Sequence, residues 1–248
     1  MIDIHTHVLP GVDDGSQSMD MSLEMLALAA DSGVEALVTT PHCNIPDEYE
    51  NYASEQLLSL WKRLDRACKA EGIPVKLYRG MEIFATAELP ELLLSRRVWT
   101  LNDTSYFLTE FAFDEDPLFC YDVLARCKKL GFHPVIAHPE RYFFIQDDPQ
   151  IAYDFCTDGC ALQINKGSVL GRFGPDAMDT AHLLLQHGLC ACLASDAHSP
   201  QQRSTFMTEI LDVVSEEFGS SYAQLLLHEN PARILSGRKL LGYEPIPI

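Results

Sequence analysis

The chemistry-bearing residues of this sequence fall in short, separate clusters. They are Asp3-Ile4-His5-Thr6-His7, Thr39-Thr40-Pro41-His42, Gly80-Met81-Glu82, Glu110, His138-Pro139-Glu140-Arg141, Asn165-Lys166-Gly167-Ser168 and Ser195-Asp196-Ala197-His198. In an extended segment, His-x-His projects both imidazoles from one face, which suits two nitrogen ligands on one ion. Carboxylates such as Glu82 and Asp196 can bridge ions or complete the set. Taken singly these signals are weak: a lone histidine is usually a polar loop residue, and Glu82 or Glu110 alone is more often a cap or a salt-bridge partner. His-x-His together with Thr-Pro-His, His-Pro-Glu-Arg and Ser-Asp-Ala-His, each closing a different apolar run, predicts a metal site. His133, His182, His187 and His228 lie outside this set.

Such clusters need a scaffold that gathers strand ends. Apolar, β-rich runs occur at Ile2–Thr6, Ala36–Thr40, Val75–Met81, Tyr106–Thr109, Pro134–Ala137, Ala161–Ile164 and Leu189–Ala194. Helical patterns lie between them at about 19–32, 52–71, 87–95, 117–131, 149–158 and 176–188, and then at 203–217, 221–228 and 231–236. Strands alternating with helices predict an α/β fold, a parallel sheet covered by helices. No linker or repeat divides the chain, so a single domain spanning residues 1–248 is expected. Periodicity leaves an open doubly wound sheet and a closed barrel both open. In either, the clusters fall at the carboxyl edge, where sites assemble.

Composition narrows the function. The 248 residues are 47% hydrophobic and 22% charged, which excludes a disordered chain. A net charge of -18 repels phosphate backbones and anionic lipid, so neither nucleic acid nor membrane insertion is expected. A phosphate substrate would need metal ions or a few arginines working against that field. The start MIDIHTHVLP has no basic or long apolar region of a signal peptide. The eight cysteines include no C-x-x-C pair and sit in apolar runs such as LFCYDVLARC and GLCACLAS, as reduced, buried thiols do. A cytoplasmic protein is expected. Cys120 to Arg126 matches the C-x5-R spacing of cysteine-dependent tyrosine phosphatases. The intervening residues lack glycine and continue a helix, which would splay the N–H groups that such a loop must converge on phosphate.

Together the motifs resemble the PHP (polymerase and histidinol phosphatase) superfamily of metal-dependent phosphoesterases. The opening DIHTHVLPGVDDGS, TPH at 40–42, HPERY at 138–142, QINKGSVLGRFG at 163–174 and SDAH at 195–198 resemble its bacterial CpsB/CapC branch. Members of that branch are manganese-dependent protein-tyrosine phosphatases linked to capsule and exopolysaccharide synthesis. The resemblance implies a distorted, TIM-like (β/α)7 barrel with three divalent metal ions at its carboxyl-end face. One ion would take His5, His7, Glu82 and Asp196. A second would take Glu82, Glu110 and His138, with Glu82 bridging, and the third Asp14, His42 and His198. Asp13 is the alternative to Asp14. The chain departs from the branch pattern where Cys43 stands in place of a second histidine, where Ser199-Pro200 follows SDAH, and where Lys166 replaces a small residue. The segment 43–52 is expected to border the entrance.

Divalent ions would remove the repulsion between a phosphate monoester and hydroxide, activate a water near neutral pH, and hold the attacking and departing oxygens in line. Arg141, in a tight turn at the metal edge, is expected to fork onto two phosphate oxygens, with Arg203 as a second clamp. The competing role for Arg141 is a surface salt bridge with Glu140 or Asp147. A phenolate leaves with a pKa of ~10, so an aryl ester needs no strong general acid. The expected activity is hydrolysis of phosphotyrosine on the Tyr-rich tail of a bacterial tyrosine kinase. The rivals are a small-molecule phosphatase, such as one for histidinol phosphate, and a non-catalytic metal-bound assembly module. The resemblance also points to a ring-like homo-oligomer. Mixed nitrogen and oxygen ligands admit Mn, Fe, Co or Zn.

Overall fold

A computed structural model describes residues 1–242 and 245–248. Nine strands run through it: β1 Ile2–Thr6, β2 Ala36–Thr39, β3 His42–Cys43, β4 Lys76–Arg79, β5 Glu82–Phe84, β6 Tyr106–Glu110, β7 His133–Ala137, β8 Ala161–Asn165 and β9 Cys192–Ala194. All pairings are parallel, in the orders β1-β2-β4 and β3-β5-β6-β7-β8-β9. The two sheets join at the far ends: Thr6 bridges Ala197, the Asp196 N–H donates to the His5 carbonyl at 2.9 Å, and the His7 N–H donates to the Ala197 carbonyl at 2.9 Å. The sheet therefore closes into a distorted barrel of seven staves, which decides between the two architectures that periodicity left open.

Two of the expected strands are each split, and the splits have local causes. The run 36–40 breaks at Pro41, which has no N–H to give a ladder. The run 75–81 breaks at Gly80, where a Cβ would lie 2.9 Å from Leu101 Cδ2 and 3.0 Å from Val38 Cγ1. Below the breaks β2 pairs with β4. Above them β3 pairs with β5 in a register that sets His42 beside Glu82. Breaking both staves at one level lets their upper halves turn together at the mouth.

The helices are α1 Met19–Asp31, α2 Glu55–Ala70, α3 Leu89–Leu94, α4 Pro117–Lys129, α5 Phe143–Asp147, α6 Gln150–Thr157, α7 Lys166–Val169, α8 Pro175–Gln186, α9 Thr208–Phe218, α10 Ser220–Gln224 and α11 Asn230–Leu235. The hydroxyls of Ser18 and Ser54 accept from the N–H groups of Met21 and Leu57 and so start α1 and α2. The helix expected from 203 begins only at Thr208. Residues before it form a loop whose Ser204 and Phe206 carbonyls accept from the Lys166 ammonium, a long-range contact that periodicity cannot show. The short α5 and α7 fall where no helix was expected.

Val38, Leu108, Val135, Ala137, Ala161, Cys192 and Ala194 pack together on one face of the strands, with Ile234 and Leu235 of α11. Leu37, Leu77, Ile83, Phe107, Ile136, Leu162 and Leu193 on the other face pack in the cluster that includes the helices. The same alternation puts Glu110, Gln163 and Asn165 on the first face, beyond the apolar layer. In β1 it fails. The register slips between Asp3 and Thr6, so Ile4 joins the inner cluster while His5 also reaches Gln163 on that face. All eight cysteines are buried, with no disulfide among the described residues.

Candidate metal centre

The structure brings the predicted ligand residues to one end of the barrel, where donor atoms gather as His5, His7 and Asp196, as His42, Glu82 and Glu110, and as His7, Asp14, His42 and His198. In the first, His5 Nε2 lies 3.1 Å from Glu82 Oε2 and 3.4 Å from Asp196 Oδ1. His7 Nε2 lies 3.2 Å and 3.5 Å from the same oxygens, and the two nitrogens are 3.3 Å apart. A tetrahedron with metal–ligand distances of about 2.1 Å has edges of about 3.4 Å. Each of the two nitrogens is spaced from both oxygens as ligands of one ion would be, and His5, His7 and Asp196 form a candidate group by themselves.

In the second, Glu82 and Glu110 meet His42, and His138 adjoins them with its Nε2 2.9 Å from Glu82 Oε1 and 3.9 Å from Glu110 Oε2. The third joins Asp14 Oδ1 to His42 Nε2 at 3.5 Å and to His198 Nε2 at 3.4 Å. His42 belongs to two groups, because its Nδ1 also lies 2.9 Å from Glu110 Oε1 and 3.1 Å from Glu82 Oε2.

Asp13 and Asp14 are placed differently. Asp13 Oδ2 meets His7 Nδ1 at 2.8 Å and accepts the His42 backbone N–H at 3.0 Å, while its Oδ1 accepts the Gly15 N–H at 3.0 Å. Both oxygens of Asp13 are engaged, and Asp14 is the one facing the histidine pair. Asp13 fixes the ring of His7 instead.

The same logic sets the other tautomers. His5 Nδ1 donates to Gln163 Oε1 at 2.7 Å, since the Gln163 amide nitrogen is spent on Asn165 Oδ1. His198 Nδ1 donates to the Asp196 carbonyl at 3.0 Å. In the neutral imidazoles these contacts leave Nε2 of all three as the lone-pair nitrogen turned toward the carboxylate oxygens. Glu82 Oε2 and His198 Nε2 are buried with no hydrogen-bond partner. A site rich in acceptors and poor in donors is one that divalent cations fit.

Charge tells the same story. Burial disfavours the cations of His5 and His42, yet the carboxylates outweigh it. Glu82 and Asp196 raise His5, while Glu82 and Glu110 hold His42 up at about 9 despite repulsion from His7. Burial likewise opposes the charges of Glu82 and Asp196, but the surrounding histidines hold both well below the usual carboxylate range. His138 and Asp196 both have left-handed backbone, φ 36 and 50, a cost that persists where surroundings enforce it. Gly15 packs so closely that a Cβ would lie 2.2 Å from the His7 carbonyl oxygen and 2.3 Å from His7 Cβ. Gly15→Ala is expected to displace both His7 and Asp13, with the ~10–100-fold loss of metal affinity typical of a lost orienting partner or worse, measured by calorimetric metal titration.

A family model described as "Capsular polysaccharide synthesis, CpsB/CapC" matches residues 1–236. The chain belongs to the CpsB/CapC family. It is 36% identical over 251 residues to the tyrosine-protein phosphatase YwqE of Bacillus subtilis, covering 100% of this chain and 96% of that protein. It is 29% identical over 240 residues to the tyrosine-protein phosphatase CpsB of Streptococcus pneumoniae, covering 95% and 98%. A crystal structure from work on YwqE and CpsB, described as metal-dependent tyrosine phosphatases, superposes with a TM-score of 0.93 at 34% identity, covering 100% and 99%. The phosphotriesterase homology protein of Escherichia coli, at 12% identity and a TM-score of 0.57 with 94% and 97% covered, shares the fold.

In this CpsB/CapC chain the two predicted arginines flank Asp196. Arg203 Nη2 donates to Asp196 Oδ2 at 2.5 Å and its Nε to the Asp196 carbonyl at 3.2 Å, so part of its donor fork holds the carboxylate. Arg141 Nη1 is 3.7 Å from Asp196 Oδ2, and its guanidinium makes no hydrogen bond among the described residues. It pairs with neither Glu140 nor Asp147. Glu140 is buried instead, accepting from Ser168 Oγ at 2.6 Å and the Asn165 N–H at 3.0 Å. The segment 43–52 does reach the site, where Tyr49 stacks on His42 with ring centroids 5.6 Å apart. Cys120 and Arg126 lie in α4, with the thiol raised by burial and Arg126 paired to Glu91 at 3.1 Å.

Sequence reading missed Gln163 as an orienting residue and named Asn165 and Glu140 without that role. The strand alternation from Ala161 was the available signal for the first two. It also missed the aromatic rim. Phe113 and Phe143 are exposed beside the site, and with Phe173 and Pro175 they line a cleft of about 260 Å³. A second cleft of about 600 Å³ runs along Phe173, Gln201, Gln202 and Arg203.

Proposed function

We propose that the chain is a single phosphoesterase domain, residues 1–248, that hydrolyses phosphotyrosine on protein with three divalent ions. His5, His7, Glu82 and Asp196 would hold one, Glu82, Glu110 and His138 another, and Asp14, His42 and His198 the third. Manganese is the favoured metal, with Fe, Co or Zn as alternatives. The observation that carries this reading is the convergence of histidine nitrogens on buried carboxylate oxygens around Glu82. Ions bound there supply the positive charge that lets an anionic nucleophile approach an anionic ester and acidify water at neutral pH.

The chain's own residues do the rest. Arg141, its fork uncommitted, takes two phosphate oxygens. Arg203 neutralises the outer oxygen of Asp196 and adds positive charge at the same edge. Asp13, Gln163 and the Asp196 carbonyl hold three histidines in the tautomer that presents Nε2. The exposed phenyl rings of the rim suit a substrate presented on a protein surface rather than one enclosed in a deep pocket. With family membership, this favours the Tyr-rich tail of a capsule-linked bacterial tyrosine kinase as substrate. No helix among the described residues is long and apolar enough to cross a membrane. The eight buried cysteines without a disulfide support a cytoplasmic setting, and a ring-like homo-oligomer belongs to the same reading.

The test is turnover of a phosphotyrosine peptide and of histidinol phosphate by Mn-loaded protein, with and without chelator. Chelator-sensitive turnover favouring the peptide is expected. Preference for histidinol phosphate would overturn the substrate, and no turnover with metals bound would overturn the catalytic claim in favour of an assembly module.

A further inference from the structure

The ring of Phe173 packs against both arginines of the metal edge, with Arg141 Cζ 4.5 Å and Arg203 Cζ 5.6 Å from its centroid. Arg141 meets Phe113 as well, at 4.7 Å, so its plane is sandwiched between two rings. These two guanidiniums repel each other, and only Asp196 Oδ2 lies near both, at 2.5 Å and 3.7 Å. Since Arg141 has no hydrogen bond among the described residues, ring faces are what fix it. A ring face attracts cations, which makes an aromatic ring a suitable packing partner for two like charges held close together.

The chain builds a seat for this ring. A Cβ on Gly167 would lie 2.6 Å from Phe173 Cε2, so glycine alone leaves room there. Gly171 and Gly174, at φ +69 and +93, make the tight turns on either side. The buried Lys166 ammonium donates to the carbonyls of Ser204 and Phe206, at 2.8 Å to the latter, and ties α7 to the loop that carries Arg203. One short segment, 166–174, thereby braces both arginines.

We propose that Phe173 is a positioning residue for phosphate binding, its ring holding Arg141 and Arg203 at a fixed separation over the metal edge. The proposal rests on the phosphatase reading above and concerns how the ester is held. Phe173→Leu keeps apolar volume and removes the ring face. Fluorinated phenylalanines of increasing fluorine content at the same position drain that face with little change of shape. Gly167→Ala pushes the ring from its seat.

Binding of inorganic phosphate to the Mn-loaded protein is measured by calorimetry, beside KM and kcat on a phosphotyrosine peptide, metal content and melting temperature. Phe173→Leu is expected to weaken phosphate binding about tenfold and to raise KM in proportion, with metal content and melting unchanged. Gly167→Ala follows it, and affinity falls stepwise along the fluorinated series. Arg141→Ala costs less in the Phe173→Leu background than alone. Unchanged phosphate affinity in Phe173→Leu, a flat fluorine series, or loss of metal and melting temperature in step with affinity would each overturn the proposal. If the wild type binds phosphate but spares the peptide, the substrate reading fails while the phosphate series still decides the role of Phe173.

Discussion

Glu82→Gln is expected to remove more metal and more activity than any other single conservative change at the site. One Glu82 oxygen lies 2.9 Å from His138 Nε2, and the other lies 3.1 to 3.2 Å from nitrogens of His5, His7 and His42. The side chain is wholly buried, so water cannot replace what is lost. A carboxamide keeps the shape but brings N–H donors to lone pairs that should face a cation, and removes a negative charge shared between two groups. The expected loss in kcat/KM exceeds the ~100-fold typical of deleting an outer orienting partner. Metal content should fall by more than one ion per chain. Asp14→Asn is the control. Asp14 is half exposed and approaches His42 and His198 rather than Glu82, so one ion is expected to go and the others to stay. Elemental analysis beside steady-state kinetics checks both, and equal losses in the two variants would contradict the assignment of Glu82 as the shared ligand.

Removing the metals is expected to have the next largest effect, and one that grows with pH. In the chelated chain, protons on His5, His7 and His42 balance the carboxylates. His42 is held up at about 9 from an ordinary value near 6.5, with burial opposing and Glu82 and Glu110 prevailing. A group whose folded value is raised gives stability that is full below the unfolded value and is lost as pH rises through the folded one. His5 and His7 are raised as well, so they act in the same direction. The chelated chain should therefore lose stability between about pH 6.5 and 9. Metal binding displaces those protons, so affinity rises over the same range. At a hundredfold excess over Kd, metal adds about 2.7 kcal/mol, or ~5–10 °C in Tm for a chain of this length. The gap in Tm between loaded and chelated protein should widen from pH 6.5 to 9, and a constant gap would contradict the account. Glu82 and Asp196 shift the other way, holding their contribution until pH falls through values below the usual carboxylate range, outside this window.

The sequence makes the ligand residues legible because each closes an apolar run, and parallel β/α chains deliver strand ends to one edge. It also makes the barrel's staves legible, to within a residue or two at most ends. What it hides is set by contacts between distant segments. The breaks at Pro41 and Gly80 depend on which neighbours each half-strand finds, and Leu101 and Val38 beside Gly80 are remote in sequence. The slip in β1 has no local signature, although it decides where His5 points. Asp13 and Asp14 are adjacent and identical in type, and only the folded loop turns one onto His7 and the other toward His42 and His198. The loop before α9 reads as helical because its register with Lys166 is formed across 38 and 40 residues.

The proposed function places three divalent ions at this edge of the barrel. Anomalous diffraction at the manganese edge from Mn-loaded crystals tests it most directly. The account predicts three peaks per chain: one among His5, His7, Glu82 and Asp196, one among Glu82, Glu110 and His138, and one among Asp14, His42 and His198. Fewer than three peaks at full activity, or peaks away from these three ligand sets, would contradict it.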